Sequence, residues 1–127
     1  LDADPRIEFV NWAGLLAHPH HERAKKYLPE GPGSVFSFGV KASQTQGARE
    51  AGQRFIESVN LASHLANIGD AKTLVIHPAS TTHAQLTEQQ LIDAGVLPGV
   101  VRISVGIEDP EDIVDDLDQA LTQATKG

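Results

Sequence analysis

The chain has 127 residues, of which 40% are hydrophobic, and a formal net charge of −7. This length suits one domain with a modest core. The acidic balance disfavours a nucleic-acid partner, because phosphate binding needs a basic face. Cysteine is absent, which excludes disulfides and thiolate zinc sites, and no apolar run approaches the roughly 20 residues of a membrane span. The chain begins at Leu1 and contains no methionine, so we expect a piece of a longer protein or a processed chain.

The first sixty residues predict two strands and two helices. Ile7 to Trp12 alternates apolar and polar side chains, which is typical of a strand. Pro19 suits the first position of a helix, and the polar segment from His20 to Leu28 is predicted to form that helix. Ser34 to Val40 is predicted to be a second strand with its apolar side chains on one face. Gln44 to Val59 has the apolar spacing of a helix packed on a core.

The middle of the chain predicts shorter elements. Leu61 to Ile68 is interpreted as either a short strand or an irregular turn, and Thr73 to Ile76 as a short apolar strand. Thr87 and Gln90 have the spacing of a capping box, in which each side chain bonds the other residue's backbone. The helix that they begin is expected to end at Gly95, since glycine suits the left-handed position after a helix.

The last strand and the last helix are the clearest predicted elements. Val100 to Val105 alternates in the manner of a strand. Asp109 is a good N-cap residue and Pro110 suits the first helical position that follows it. The apolar stripe of this helix repeats with helical spacing: Ile113, Val114, Leu117, Ala120, Leu121 and Ala124.

A single arginine stands out on the last strand. Arg102 and Ser104 point to the face opposite the strand's apolar residues, and Ser37 and Gly39 are expected to join them from a neighbouring strand. A guanidinium among small side chains leaves room for a ligand and offers paired donors that match a carboxylate. The alternative is a solvated surface arginine in a chain of net negative charge.

A histidine-rich segment near the start of the first helix has the residue types of a metal site. His18, His20, His21 and Glu22 supply imidazoles and a carboxylate, which suit zinc. Adjacent residues cannot share one face of a helix, however, so His20 and His21 cannot both ligate from it. We therefore predict a polar start of a helix and no metal site.

Two other segments leave alternatives open, and a third is excluded as a phosphate-binding loop. His77 and His83 bracket a loop that either binds metal or moves protons, or is an ordered turn built by Pro78 and the hydroxyls that follow it. Asn67 to Asp70 is either an amide-bearing ligand loop or a plain turn. Gly31-Pro32-Gly33 lacks the length and the lysine of a phosphate loop.

Several segments taken together match the pattern of a known family, although each alone is a weak signal. They are Leu65 to Leu74, His77 to His83, Leu86 to Leu91 and Arg102 to Glu108, with His18-Pro19 and Ala24 to Leu28 in addition. From Ile7 to Leu121 the chain resembles the C-terminal domain of the pyridoxal-phosphate (PLP) enzymes of cysteine and methionine metabolism. It resembles in particular the O-acetylhomoserine sulfhydrylase branch of that family.

The resemblance implies roles for five residues. Arg102 corresponds to the arginine that grips the α-carboxylate of the amino-acid substrate, and the backbone at Ile68 lies close to the same carboxylate. Asn67 corresponds to a substrate-binding position near the substrate carboxylate and the reactive lysine, where lyases and cystathionine synthases of the family usually carry a serine. This departure favours the sulfhydrylase branch. Thr82 and His83 end a loop beside the active-site entrance.

The resemblance also implies a cofactor that this chain does not hold alone. The family forms its Schiff base on a lysine that follows a Ser-x-Thr stretch in a large domain, and none of the chain's lysines has that context: Lys25, Lys26, Lys41, Lys72 and Lys126. We therefore expect no catalytic residue and no bound PLP in this chain, and no turnover without the missing N-terminal large domain. The whole enzyme is expected to be a cytoplasmic homo-oligomer, a homotetramer, that makes homocysteine from O-acetylhomoserine and sulfide for methionine biosynthesis.

The fold prediction for residues 1–127 is an α+β fold. It is a small two-layer domain with a mixed, mainly antiparallel sheet of about four strands and helices on one face. Two other functions stay open: another member of the same family, such as an O-succinylhomoserine sulfhydrylase or a cystathionine gamma-synthase, and a stand-alone amino-acid-binding module that uses the same arginine.

Overall fold

Five strands and four helices are present in the computed structural model, which describes residues 1–126. In chain order they are β1 (Ile7–Asn11), α1 (His21–Tyr27), β2 (Val35–Val40), α2 (Ala48–Ser58), β3 (Ser63–His64), β4 (Leu74–Ile76), α3 (Glu88–Asp93), β5 (Val100–Ser104) and α4 (Pro110–Ala124). One turn of 3₁₀ helix, Pro78–Ser80, follows β4.

The strands form one sheet in the order β1-β2-β5-β4-β3. Three of the four pairings are antiparallel, and only β3 runs parallel to its neighbour β4. The predicted mixed, mainly antiparallel sheet is therefore confirmed. It has five strands rather than about four, because two residues of the ambiguous 61–68 segment, Ser63 and His64, pair with the start of β4.

Two helices cover one face of this sheet. α2 packs on β2 and β5, α4 packs on α2, and their buried residues join the inward residues of the sheet in one apolar cluster. At its centre the rings of Phe38 and Phe55 meet edge-to-face, with centroids 5.4 Å apart, and both side chains are fully buried. Each buried phenylalanine contributes about 1.5–3 kcal/mol of transfer free energy. The predicted two-layer α+β domain is confirmed.

The helix boundaries follow the capping signals of the sequence. Thr87 and Gln90 form both bonds of the predicted capping box at the start of α3. Gly95 has a φ of 78° just after that helix, as the left-handed position requires. Asp109 accepts a bond from the backbone of Glu111, and Pro110 is the first residue of α4.

The predicted start of α2 is wrong by four residues. The helix begins at Ala48 rather than Gln44, because the backbone N–H of Ser43 donates to the Gln46 carbonyl and closes a turn before the helix. The Ser43 hydroxyl also accepts from the backbone of Thr45, and such local side-chain bonds compete with helical ones. The predicted start of α1 is early by one residue, so Pro19 lies outside that helix.

Gly52 lets α2 approach a buried histidine. A Cβ at this position would lie 2.5 Å from Nε2 of His77, whose ring cannot retreat because it is fully buried and hydrogen-bonded at both nitrogens. We expect Gly52→Ala to lower the free energy of unfolding by about 1–2 kcal/mol, because overpacking outweighs the roughly 1 kcal/mol that alanine gains in a helix. Urea denaturation measures this change.

The matched control for that substitution is Gly47→Ala at the N-cap of the same helix. A Cβ on Gly47 meets nothing within 4 Å, and its φ of −69° is accessible to any residue. Its expected cost is about 0.5 kcal/mol, the loss of a preferred N-cap residue. Equal effects of the two substitutions would show that contact with His77 does not limit position 52.

Between residues 1 and 126, no helix has the length and apolar character needed to cross a membrane.

Candidate functional site

Arg102 lies in the middle of the sheet, on the face that α2 and α4 leave uncovered. It is directly opposite Ser37 on β2 and Ile76 on β4, as the strand alternation requires. The side chain is half-buried, and its Nη2 donates to the carbonyl of Ala66 at 3.3 Å. None of the ion pairs found within residues 1–126 involves Arg102. Its guanidinium therefore keeps N–H donors for a ligand anion.

A cavity of about 430 Å³ adjoins this guanidinium. Among the described residues that line it, Arg102 alone is charged. The lining includes Phe9, Asn11, Phe36, Ser37 and Leu97. An anion that reaches this wall therefore meets one positive charge and no competing carboxylate among the described lining residues.

The predicted ligand loop lies at the tip of the arginine. Ala66, whose carbonyl accepts from Arg102, directly precedes Asn67 and Ile68, and both of these residues are exposed. Oδ1 of Asn67 accepts from the backbone N–H of Ile68 at 2.9 Å. Asn67 and Ile68 thus follow directly after the residue that Arg102 contacts, but neither of them lines the cavity beside the guanidinium.

The end of β5 and the segment that follows it hold the chain after this loop in place. Oγ of Ser104 accepts from the backbone of Gly69 at 3.0 Å. The carboxylate of Glu108 accepts from the backbone N–H of Thr73 at 2.6 Å and from its hydroxyl at 2.5 Å. A Cβ at Gly106 would lie 2.3 Å from the Ala71 carbonyl, so only glycine fits between these segments.

The Thr73–Glu108 contact was not predicted from the sequence. Its two hydrogen bonds from Thr73 hold the pKa of the Glu108 carboxyl below its ordinary value. The available signal was a hydroxyl at the start of one strand and a carboxylate just after another. Their pairing depends on the antiparallel β4–β5 register, which the residue pattern leaves open.

Thr82 and His83 lie elsewhere on the surface. Oγ1 of Thr82 and Nδ1 of His83 are 2.8 Å apart, and neither residue lines the cavity beside Arg102. Pro78, at the start of their loop, does line it. The structure therefore connects the loop to the rim of the cavity but does not bring these two side chains to the guanidinium.

His77 is a structural residue, and the ordered-turn alternative for its loop is confirmed. Nδ1 is 2.8 Å from Oγ of Ser80, Nε2 is 2.6 Å from the Pro98 carbonyl, and the Thr81 hydroxyl donates to the His77 carbonyl. Burial lowers the pKa of His77, so the neutral ring donates through Nε2 and accepts from Ser80. It is not available for metal binding or for proton transfer with His83.

The histidines near α1 bond to other groups. Nε2 of His18 meets Oδ1 of Asn11 at 2.7 Å, its Nδ1 accepts from the backbone of His20, and Nδ1 of His21 lies 2.9 Å from the Ala13 carbonyl. Over the described part of the chain, no group of three or more His, Cys, Asp or Glu side chains is placed to hold a metal ion. A larger cavity of about 910 Å³ beside β1 includes His18 and His20 but not Arg102.

No lysine among the described residues lies at the cavity beside Arg102. A Schiff base needs an amine held in a cleft, whereas all five lysines are exposed and none lines the Arg102 cavity: Lys25, Lys26, Lys41, Lys72 and Lys126. What residues 1–126 bring together is a half-buried guanidinium, the cavity that adjoins it and the loop whose carbonyl it contacts.

Comparison with known proteins identifies the family. The family model described as Cys/Met metabolism PLP-dependent enzyme matches residues 1–122. The chain belongs to this family. The expected family resemblance is thereby confirmed.

Members of this Cys/Met metabolism family share extensive sequence with the chain. It is 51% identical over 117 residues to O-acetyl-L-homoserine sulfhydrylase 1 of Thermus thermophilus, covering 92% of this chain and 27% of that protein. It is 47% identical over 124 residues to homocysteine synthase of Schizosaccharomyces pombe, covering 98% and 28%. The chain thus spans little more than a quarter of the length of these relatives.

Solved structures of PLP enzymes share the fold. A structure assigned as O-acetylhomoserine (thiol)-lyase from Campylobacter jejuni, which holds N'-pyridoxyl-lysine-5'-monophosphate, superposes with a TM-score of 0.80 at 36% identity. The match covers 94% of this chain and 27% of that one. Cystathionine gamma synthase from Xanthomonas oryzae pv. oryzae, in complex with cystathionine, gives 0.81 at 31% identity and covers 98% and 30%.

Proposed function

We propose that residues 1–127 are the C-terminal small domain of a PLP-dependent O-acetylhomoserine sulfhydrylase, which makes homocysteine from O-acetylhomoserine and sulfide. The observation that carries the proposal is the uncompensated guanidinium of Arg102 beside a cavity with otherwise uncharged lining. The 51% identity to the Thermus sulfhydrylase supports the choice of reaction.

In this function Arg102 binds the α-carboxylate of the amino-acid substrate. A guanidinium has five N–H donors in one plane, and the Ala66 carbonyl occupies only Nη2. That bond fixes the plane, and the remaining donors form paired bonds to a carboxylate. Asn67 and the backbone of Ile68 complete the same wall of the site, because they directly follow Ala66.

The rest of the site belongs to the N-terminal large domain of the same polypeptide. That domain supplies the lysine and the binding site for PLP, which provides the electron sink for the reaction when bound. Several apolar side chains on the loops around Arg102 are exposed in residues 1–126 and suit contact with that domain: Ile68 at 54%, Leu97 at 45% and Ile107 at 86%. We propose that the whole protein is a cytoplasmic homo-oligomer.

Expression of the whole protein tests the proposal. We expect the visible absorbance of a PLP Schiff base and formation of homocysteine from O-acetylhomoserine and sulfide. The 127-residue chain, purified in the same way, is the control and is expected to be colourless and inactive. A whole protein that stays colourless in the presence of PLP would contradict the proposal.

A second candidate within the family is cystathionine gamma-synthase or an O-succinylhomoserine sulfhydrylase. The fold alone does not distinguish this second candidate from an O-acetylhomoserine sulfhydrylase. The Xanthomonas synthase superposes with a TM-score of 0.81 and the Campylobacter enzyme with 0.80. Parallel assays with acetyl or succinyl ester, each with sulfide or cysteine, distinguish the candidates. A higher kcat/KM with the succinyl ester than with the acetyl ester would favour the second candidate function.

A further inference from the structure

We propose that Arg49, on α2, is a positioning residue that holds the entrance loop of the site, residues 78–86, through three backbone carbonyls. Its Nη1 donates to Leu86 at 3.0 Å, and its Nη2 donates to Ala79 at 2.7 Å and to Ala84 at 2.9 Å. The inference rests on the proposed function and on the family resemblance, which assigns Thr82 and His83 in this loop to the active-site entrance.

The entrance loop depends on outside contacts for its position. Its own backbone bonds are short-range, such as those from the N–H groups of Thr81 and His83 to the Pro78 carbonyl. Beyond its 3₁₀ turn it has no helix or strand. Short-range bonds shape a loop but do not fix its place on the domain, whereas Arg49 joins it to a helix 30 to 37 residues earlier in the chain.

α2 fixes the loop at two points one helical turn apart. Arg49 bonds to carbonyls near the start, the middle and the end of the loop, and Gly52 leaves room for the ring of His77, which contacts Ser80 of the loop. α2 also packs on β5, the strand that carries Arg102. Helix α2 therefore sets the position of Thr82 and His83 relative to Arg102, which lies on the opposite face of the sheet.

The chemistry at this position requires arginine. Three carbonyls converge on one planar guanidinium, and its rigid fork gives each of them a donor. A lysine keeps the charge but has a single nitrogen on a flexible stem, which cannot reach three separated oxygens in a fixed geometry. Arg49→Lys therefore tests the fork rather than the charge.

The test uses the whole protein with PLP bound and compares wild type, Arg49→Lys and Arg54→Lys. Arg54 lies on the same helix but bonds to Glu50 and to the Lys126 carbonyl, away from the loop.

For Arg49→Lys we expect amide hydrogen exchange in residues 79–86 to be about tenfold faster, because loosened loops open more often. We expect the KM for O-acetylhomoserine to rise about three- to tenfold with kcat within about twofold, because the entrance acts on binding before chemistry. Arg54→Lys should change neither quantity.

Unchanged exchange in residues 79–86 would overturn the proposal, and so would faster exchange with an unchanged KM. If Arg49→Lys does not fold, Arg49→Gln replaces it with the same expectations, since an amide also cannot serve three carbonyls. A wild-type protein inactive on O-acetylhomoserine would contradict the proposed function instead. The exchange comparison then decides alone whether Arg49 holds the loop.

Discussion

In the whole protein, Arg102→Lys is expected to raise the KM for the amino-acid substrate by about 30- to 150-fold, the loss of roughly 2–3 kcal/mol of charge-assisted hydrogen bonding. Lysine keeps the positive charge but loses the planar fork that binds both carboxylate oxygens. The bond to the Ala66 carbonyl, which orients the present side chain, is lost too. Because the carboxylate does not react, kcat should fall much less than kcat/KM. Steady-state kinetics with O-acetylhomoserine measure both.

The matched control for Arg102→Lys is Arg23→Lys, an exposed position on α1 that makes no ion pair within residues 1–126. We expect its kinetics to equal those of wild type. If Arg102→Lys also behaves like wild type, Arg102 does not bind the substrate carboxylate and the proposed site is wrong.

Asp116 on α4 is expected to be the most important buried charge for folding. The side chain is 7% exposed, and its two oxygens accept from three consecutive backbone N–H groups of the loop after α2: Asn60 at 2.7 Å, Leu61 at 2.9 Å and Ala62 at 2.9 Å. Its carboxylate thus joins α4 to the segment between α2 and β3.

We expect Asp116→Ala to lower the free energy of unfolding by about 3–5 kcal/mol, because it leaves buried N–H groups without an acceptor. Asp116→Asn should cost about 2–3 kcal/mol, since one oxygen remains but an N–H₂ group then faces N–H donors. Urea denaturation at neutral pH measures these changes. Asp115→Asn, at the exposed neighbouring position, is the control and should change stability by less than about 0.5 kcal/mol.

The Asp116 contribution should depend on pH with a defined sign. Burial raises the pKa of this carboxyl, but the hydrogen bonds from Ala62, Asn60, Gln119 and Leu61 outweigh burial and leave it below the ordinary 3.8. A carboxyl with a lowered pKa in the folded state stabilises fully well above 3.8 and loses that contribution as pH falls through its folded value. The stability difference between wild type and Asp116→Asn should therefore shrink below about pH 4. A constant difference from pH 7 to pH 3 would contradict the assigned bonds.

Residue alternation was sufficient to predict the face on which Arg102 lies. A strand has a period of two, so Arg102 had to point away from Val101 and Ile103, and both of these are fully buried against the helices. Ser37 was expected beside it and is its direct partner on β2. The helix signals at Thr87 and Asp109 were reliable for a similar reason, because a cap acts within one turn of its own residue.

The sequence did not predict two kinds of feature. One is a local turn that competes with a helix for the same backbone groups, and the other is a contact between segments far apart in the chain. Residues 44–47 were included in the predicted helix α2 but form a turn closed by Ser43 and Gln46. The sequence showed a loop between His77 and His83, but not that Arg49, some thirty residues earlier, would hold it. Loop position follows from which elements pack together, and spacing along the chain does not reveal that.

The sequence by itself determined the order of the main elements, the buried faces of β5 and α2, and the family to which the chain belongs, because periodicity, caps and motifs act over a few residues. One position was wrong: Val114, predicted in the apolar stripe of α4, is 63% exposed. Only the tertiary structure decided that Arg102 meets the Ala66 carbonyl, that Glu108 holds Thr73, and that Asp116 binds the backbone of residues 60–62. These contacts join residues 35 to 56 positions apart. Their partners are chosen by strand register and helix packing, which depend on the whole core rather than on any local pattern.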